Sequence, residues 1–178
     1  MTPSVLFYIS GHGYGHARRC GQVIRVIADV APEVRVHVRT TALPRLFNGV
    51  LPPDRVRPCD ADAGAAERSP MEVDPDGTLD RMAAALARRD AVVAAELGAI
   101  RDLGPRLMVS DVPFLAGDVA AAAGVPCVAM SNFTWDWIAE PWVADRPDRR
   151  PLLDAMAAGY ARMAGILKMP MGGVSAAF

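Results

Sequence analysis

The chain has 178 residues, of which 52% are hydrophobic and 22% charged, which suits one globular domain with a buried core. Its formal net charge of -1 offers no basic field for a phosphate backbone, and no uncharged apolar stretch reaches the roughly 18 residues of a membrane span, so neither nucleic acid nor a bilayer core is an expected partner. Cys20, Cys59 and Cys127 are widely spaced without a C-x-x-C pair, which argues against a disulfide framework or a cysteine zinc site and favours a reduced, cytoplasmic setting.

The chain opens with a strand, a glycine turn and a helix. Val5 to Ser10 is a short apolar run rich in β-forming residues, typical of a buried parallel strand. Glycines follow at positions 11, 13 and 15, and apolar residues then recur at three- and four-residue steps from Ala17 to Ala28. This change of period predicts an amphipathic helix directly after the turn.

The same alternation of strands and helices continues along the chain. Because successive parallel strands need right-handed crossovers, it predicts a single α/β domain over residues 1–178: a Rossmann-like open parallel sheet with helices on both faces. The further predicted elements are strands Val34–Thr40, Arg55–Cys59, Leu107–Ser110 and Pro126–Met130, helices Pro44–Asn48, Thr78–Gly104, Phe114–Ala123, Trp135–Ala144 and Leu152–Leu167, and a polar, acidic, mobile loop Asp60–Gly77.

The chemistry is expected at the carboxyl ends of the strands, where the strand order reverses. If the order is 3-2-1-4-5, the first and fourth strands are neighbours, and His16 and Asp111 face each other across the crevice. A carboxylate on one ring nitrogen would hold the imidazole in one tautomer and make it a better base for a hydroxyl near neutral pH. The alternative is that His16 merely caps the helix.

A nicotinamide-cofactor site and a metal site are two alternatives for the residues of the glycine turn. The glycine spacing is not G-x-G-x-x-G, and Arg39 and Thr40 stand where a ribose-binding acid would be expected, so a nicotinamide cofactor is a minor alternative. His12 and His16 with a carboxylate could suggest a metal, but a glycine-rich turn provides no helical i, i+4 face. No metal site and no cofactor are therefore predicted within the chain.

A second set of residues is predicted to bind substrate. Glycines at the turn allow close backbone approach, and an arginine in the first helical turn could meet an anionic ligand group. The segment after the fifth strand adds polar and aromatic side chains, of which tryptophan faces commonly line sugar sites, although core packing is the alternative for Trp135 and Trp137. The predicted substrate-binding residues are Gly13, Gly15, Arg19, Asn132, Trp135 and Asp136.

These motifs resemble those of a known family. Gly15-His16 resembles the turn of GT-B glycosyltransferases, in many of which the histidine is the general base, and the stretch from Val109 through Asp111 to Val128 is similar to their second signature. The runs GHGYGHA at 11–17 and SNFTWDWI at 131–138 are similar to the glycosyltransferase-like N-terminal region of plant L-arabinokinases. The resemblance implies that His16 is the base and Asp111 orients it.

The resemblance also implies what the chain lacks. A GT-B enzyme holds its nucleotide-sugar donor on a second, C-terminal nucleotide-binding domain, so we expect these residues to bind a sugar or glycoside acceptor and to be inactive alone. The kinase phosphate loop of arabinokinases is also absent, so sugar phosphorylation is not assigned. The leading hypothesis is an inverting glycosyl transfer, and the alternative is a non-catalytic sugar-binding module attached to a sugar kinase.

Overall fold

A computed structural model describes residues 2–174 and 176–178 of the chain. Its main sheet has six strands, all parallel, in the order β3-β2-β1-β6-β7-β8. The strands are β1 (Ser4–Ile9), β2 (Arg35–Arg39), β3 (Val56–Arg57), β4 (Ala66–Ser69), β5 (Glu72–Asp74), β6 (Leu107–Asp111), β7 (Cys127–Phe133) and β8 (Gly165–Gly173). The helices are α1 (Gly15–Val30), α2 (Pro75–Ala87), α3 (Arg89–Leu103), α4 (Leu115–Ala123), α5 (Trp135–Val143) and α6 (Arg150–Ala161).

The predicted order of the first five strands of the sheet is confirmed, and so is the fold class. β1 pairs with β6 in a register that sets Ile9 opposite Asp111, and with β2 on its other side. The order therefore reverses at β1, and the carboxyl ends of β1 and β6 lie side by side.

Two apolar cores sandwich the sheet because successive side chains on a strand point to opposite faces. Phe7 and Ile9 of β1 pack with Ala17, Cys20 and Ile24 of α1. Leu6 and Tyr8 point to the other face, where the core is completed by residues of α2 to α6. Among the described residues, one face thus carries a single α-helix and the other carries five.

Three local predictions are corrected. The predicted helix Leu152–Leu167 ends at Ala161, and β8 follows it, because the free edge of β7 offers backbone partners such as the Cys127 carbonyl, which accepts from the Ala164 amide at 2.7 Å. Helical periodicity in an Ala- and Met-rich stretch was outweighed by this long-range pairing.

The predicted helix Thr78–Gly104 is two helices with a break at Arg88. α2 packs against β4, α5 and α6, whereas α3 packs against α4, and one straight helix would not meet both sets of partners. The predicted helix end at Gly104 is confirmed, because Gly104 follows the last residue of α3 in a left-handed conformation (φ +53).

The predicted loop Asp60–Gly77 contains the antiparallel hairpin β4–β5 and the first residues of α2. The Thr78 hydroxyl explains the local order: it accepts from the Ala66 amide at 2.9 Å and donates to the Asp74 carbonyl at 2.7 Å, joining both strands of the hairpin to α2.

Candidate active site

A histidine and a carboxylate meet where β1 and β6 end. His16 lies in the first turn of α1, and Asp111 is the last residue of β6 and is fully buried. The His16 Nδ1 atom lies 3.1 Å from Asp111 Oδ1. Within residues 2–174 and 176–178, no side chain caps the start of α1, so the structure does not show His16 as a helix cap. The adjacent strand ends thus bring together two residues that are 95 positions apart.

Arg19 links both members of this pair to the next strand. Its Nη2 atom donates to Asp111 Oδ1 at 2.5 Å and lies 3.2 Å from His16 Nδ1, and its Nη1 atom donates to Asn132 Oδ1 at 2.9 Å. Nε is 3.3 Å from Asp111 Oδ2, which also accepts from the Cys20 thiol at 3.0 Å. Arg19 therefore binds protein groups at the ends of β6 and β7, which accounts for a cation at a helix N-terminus without a bound anion.

The Cys20 thiol is fully buried next to Asp111. Burial raises its pKa far above the ordinary value, and the charge of Asp111 adds to the effect. Cys20 therefore stays a protonated donor to Asp111 and is not a nucleophile. Burial likewise raises the pKa of Cys59 and of Cys127 to about 12, and all three thiols are free.

The backbone beside Asp111 is strained. Val112 has φ +84, a conformation that a β-branched residue rarely adopts. The buried Tyr160 hydroxyl stabilises this turn by donating to the Val112 carbonyl at 2.6 Å. The Tyr160 hydroxyl oxygen also accepts from the Trp135 amide at 3.1 Å. Tyr160 thus ties the turn after β6 to the start of α5.

The glycine turn after β1 has one residue whose conformation favours glycine. Gly13 adopts φ +66 and lines a cleft with Tyr14 and Thr41, whereas Gly15 is the first residue of α1. At Gly11, an added Cβ would lie 1.9 Å from the Thr41 hydroxyl oxygen. The turn can therefore pack against the end of β2 only because that side chain is missing.

The predicted aromatic and acidic residues divide between core and surface. Trp135 is 2% exposed and donates from Nε1 to Asp62 Oδ1 at 2.9 Å, whereas Trp137 is 49% exposed. Asp136 is 9% exposed, and its buried Oδ1 atom has no hydrogen-bond partner among the residues that the structure describes. Trp135 is the tryptophan that packs inward, and its ring lies edge-on to Phe133, which in turn contacts the His16 ring.

Sequence reasoning missed Asp62, which organises the floor of the site. Its Oδ2 atom accepts from the Ser10 hydroxyl at 2.5 Å, and its Oδ1 atom accepts from Trp135. Asp62 lies in a segment without periodicity, so only its acidic character gave any signal. Tyr160 was missed for a different reason: it reads as an ordinary core residue of α6.

Residues 2–174 and 176–178 contain no group of three or more His, Cys, Asp or Glu side chains placed to hold a metal ion. In the same residues, no helix combines the length and apolarity that a membrane crossing requires.

The chain is similar in sequence to an L-arabinokinase from Arabidopsis thaliana. The two are 30% identical over 168 residues, which is 92% of this chain and 16% of the plant protein. The chain thus spans about a sixth of the length of the curated relative it matches. No protein-family model matches it.

Two solved structures share the fold. The Streptomyces sp. SF2575 glycosyltransferase SsfS6 superposes with a TM-score of 0.52 at 16% identity, covering 89% of this chain and 44% of that protein. The calicheamicin glycosyltransferase CalG4 superposes with a TM-score of 0.54 at 20% identity, covering 90% of this chain and 43% of that protein. In fold, the chain is therefore a Rossmann-like, GT-B glycosyltransferase-like domain.

Proposed function

We propose that the domain is the acceptor-binding half of an inverting glycosyltransferase, in which His16 is the general base. The observation that carries the proposal is the 3.1 Å contact between His16 Nδ1 and Asp111 Oδ1 at the carboxyl edge of the sheet. A proton on Nδ1 donated to this carboxylate leaves the Nε2 lone pair free for an acceptor hydroxyl.

The proposed reaction needs one proton transfer and one displacement. Nε2 of His16 takes the proton of the acceptor hydroxyl while its oxygen attacks the anomeric carbon of a nucleotide sugar. The bond from that carbon to the nucleotide's phosphate oxygen breaks, the electron pair leaves with the diphosphate, and attack from the opposite face inverts the configuration. Asp111 stabilises the imidazolium that forms.

The proposal places the nucleotide-sugar donor on a second domain outside these 178 residues. The chain corresponds to only 44% and 43% of the two glycosyltransferases that share its fold, which is consistent with a further domain in a complete enzyme. We therefore expect the 178 residues alone to bind acceptor without transferring sugar, with Gly13, Gly15 and the exposed side chains of the Asn132–Trp137 segment at the acceptor cleft.

One observation favours a second candidate, a sugar-binding module without catalysis. Arg19 already forms an ion pair with Asp111, so the carboxylate is shared between a permanent cation and the imidazole. A shared carboxylate stabilises an imidazolium less than a dedicated one does. In this candidate, His16, Arg19 and Asp111 only stabilise the conformation of the cleft, and the attached domain supplies the chemistry.

Substitution of His16 in the complete protein separates the two candidates. We expect His16→Ala to lower transfer from a nucleotide sugar by about 10²–10⁴-fold, because that is the typical contribution of a general base. Nucleotide release measures turnover, and circular dichroism checks the fold. The matched control is His37→Ala, which removes a histidine from the middle of β2. Unchanged turnover in His16→Ala would refute the assignment of the base, and saturable sugar binding without any transfer would support the module.

A further inference from the structure

A small polar cavity lies between α1 and the segment that follows β2. It measures about 170 Å³, with α1 as one wall and residues 46–50 as the other. The lining residues are Arg18, Gly21, Gln22, Arg25, Leu46, Asn48 and Val50. None of the described residues that line it belongs to the cluster of His16, Arg19 and Asp111, so the cavity is distinct from the candidate active site.

The wall opposite α1 is a short loop anchored in the core. Phe47 is fully buried in the core on the α1 face of the sheet. Its carbonyl accepts from the Val50 amide at 2.9 Å, and Gly49 makes the turn between them with φ +73. The loop backbone is therefore fixed, whereas the Asn48 side chain, which lines the cavity, forms no hydrogen bond with a described residue.

The cavity is cationic. Arg18 and Arg25 contribute two permanent positive charges, and no carboxylate lines the cavity in the part of the chain that the structure describes. Within that part, neither guanidinium forms an ion pair or a hydrogen bond, whereas the neighbouring Arg19 is paired with Asp111. The one acid of α1, Asp29, stands a turn beyond Arg25 and is not paired with it. Two unpaired cations that share a cavity repel each other, and a bound anion would remove that repulsion.

The floor of the cavity is a glycine in the middle of a helix. Gly21 is buried, yet an added Cβ would lie in open space, with no described atom outside its own stretch of α1 within 4 Å. Packing therefore does not require glycine here, although glycine stabilises a helix less than alanine does. Positions 18, 21 and 25 share one helix face because they are three and four residues apart. The missing side chain thus keeps the space between the two arginines open.

The donors around this space suit a phosphate group. Guanidinium groups bind phosphate oxygens through paired N–H donors, and the amide groups of Gln22 and Asn48 add further donors. A phosphomonoester carries about −1.5 to −2 charges at pH 7, which matches the two arginines. Leu46 also lines the cleft beside Gly13, so the phosphate can belong to a larger molecule. We propose that the cavity binds a phosphate group between Arg18 and Arg25, as inorganic phosphate or as the phosphomonoester of a small molecule. The site does not depend on the proposed function.

Calorimetric titration of the 178-residue chain with inorganic phosphate tests the inference. Sodium chloride holds the ionic strength constant, so that screening does not change along the titration. We expect saturable binding that is about tenfold weaker in Arg18→Gln and in Arg25→Gln, because each loses a charge-assisted hydrogen bond. Gly21→Ala should also bind phosphate more weakly, because its methyl group occupies the floor. The same variant should unfold at a higher temperature, because alanine is the better helix former.

The matched controls make the same changes in α3. Arg101→Gln alters an exposed arginine that has no ion pair among the described residues, and Gly98→Ala alters a glycine with open space around it. Both should bind phosphate like the unmodified chain, and Gly98→Ala should also raise the unfolding temperature. Circular dichroism checks the fold of every variant.

Three outcomes would overturn the inference. They are the absence of saturable phosphate binding, an equal loss of affinity in Arg101→Gln and Arg18→Gln, and unchanged affinity in Gly21→Ala. A second titration, with glycerol 3-phosphate, identifies the source of the phosphate. Binding as tight as that of inorganic phosphate supports a site for a phosphomonoester, whereas much weaker binding supports a site for the free ion.

Discussion

Two groups approach Nδ1 of His16, and they require opposite protonation states of that nitrogen. An N–H at Nδ1 donates to Asp111 Oδ1 at 3.1 Å, whereas a bare Nδ1 would accept from Arg19 Nη2 at 3.2 Å. A carboxylate has only acceptors, so a lone pair facing it is repelled. Arg19 Nη2 is close to Nδ1 because both bind the same oxygen of Asp111. The contact with Asp111 therefore sets the tautomer.

We predict that neutral His16 carries its proton on Nδ1. A two-dimensional ¹⁵N–¹H spectrum of the chain should show a protonated Nδ1 and an unprotonated Nε2 for His16. In Asp111→Ala, the acceptor is lost and the proton should move to Nε2, while the His37 signals stay unchanged. A protonated Nε2 in the unmodified chain would contradict the proposed base, because no lone pair would then face an acceptor hydroxyl.

At the scale of elements, two helices on the crowded face of the sheet touch through glycine backbone. A Cβ added at Gly117 of α4 would lie 2.0 Å from the Gly159 carbonyl oxygen of α6, and one added at Gly159 would lie 2.8 Å from the Phe114 carbonyl oxygen. By contrast, a Cβ at Gly98 of α3 would meet no atom of the described residues within 4 Å. This close approach lets α6 hold Tyr160 against the strained turn at Val112.

Two alanine substitutions should therefore have opposite effects on stability. Gly117→Ala forces α4 and α6 apart and should lower the free energy of unfolding by about 1–3 kcal/mol. Gly98→Ala is the control: it restricts the unfolded chain in an open helical position and should raise the free energy by about 0.5–1 kcal/mol. Urea denaturation with unchanged m-values measures both. A Gly117→Ala variant as stable as Gly98→Ala would show that the two helices do not touch in this way.

At the scale of the whole molecule, charged side chains of β2 occupy the sheet face that carries five helices. His37 faces Arg35, Arg39 and Arg55, with Asp54 as the nearby acid. Burial lowers the pKa of His37 below the ordinary 6.5, and the three arginines lower it further. The folded chain therefore takes up the His37 proton at a lower pH than the unfolded chain does.

The consequence is a stability that falls on acidification. Below pH 6.5 the unfolded state binds more protons at His37 than the folded state does. The contribution of His37 to the free energy of unfolding is therefore present above pH 6.5 and is lost as the pH falls through the lowered pKa of the folded state. We expect His37→Asn to lose less stability than the unmodified chain between pH 7 and pH 5 in urea denaturation. In Arg55→Gln, the stability lost between pH 7 and pH 5 should lie between that of the unmodified chain and that of His37→Asn. Parallel pH curves for His37→Asn and the unmodified chain would contradict the assignment.

The local elements that the sequence determined are those whose signals are short-range. The apolar run of β1, the period of α1 and the glycines that end α3 and α4 act within a few residues, so each could be inferred in isolation. Because the crossover rule then leaves few strand orders, the approach of His16 to Asp111 could also be predicted from the sequence.

Only the tertiary structure decided the features that depend on distant partners. β8 forms because β7 leaves an open edge, although its sequence reads as helix. Asp62 belongs to the site because Ser10 and Trp135 donate to it across the domain, and Arg19 binds Asp111 and Asn132 where the sequence suggested a ligand anion. A residue's hydrogen-bond partners are set by packing between elements, and no local pattern of residue types records that packing.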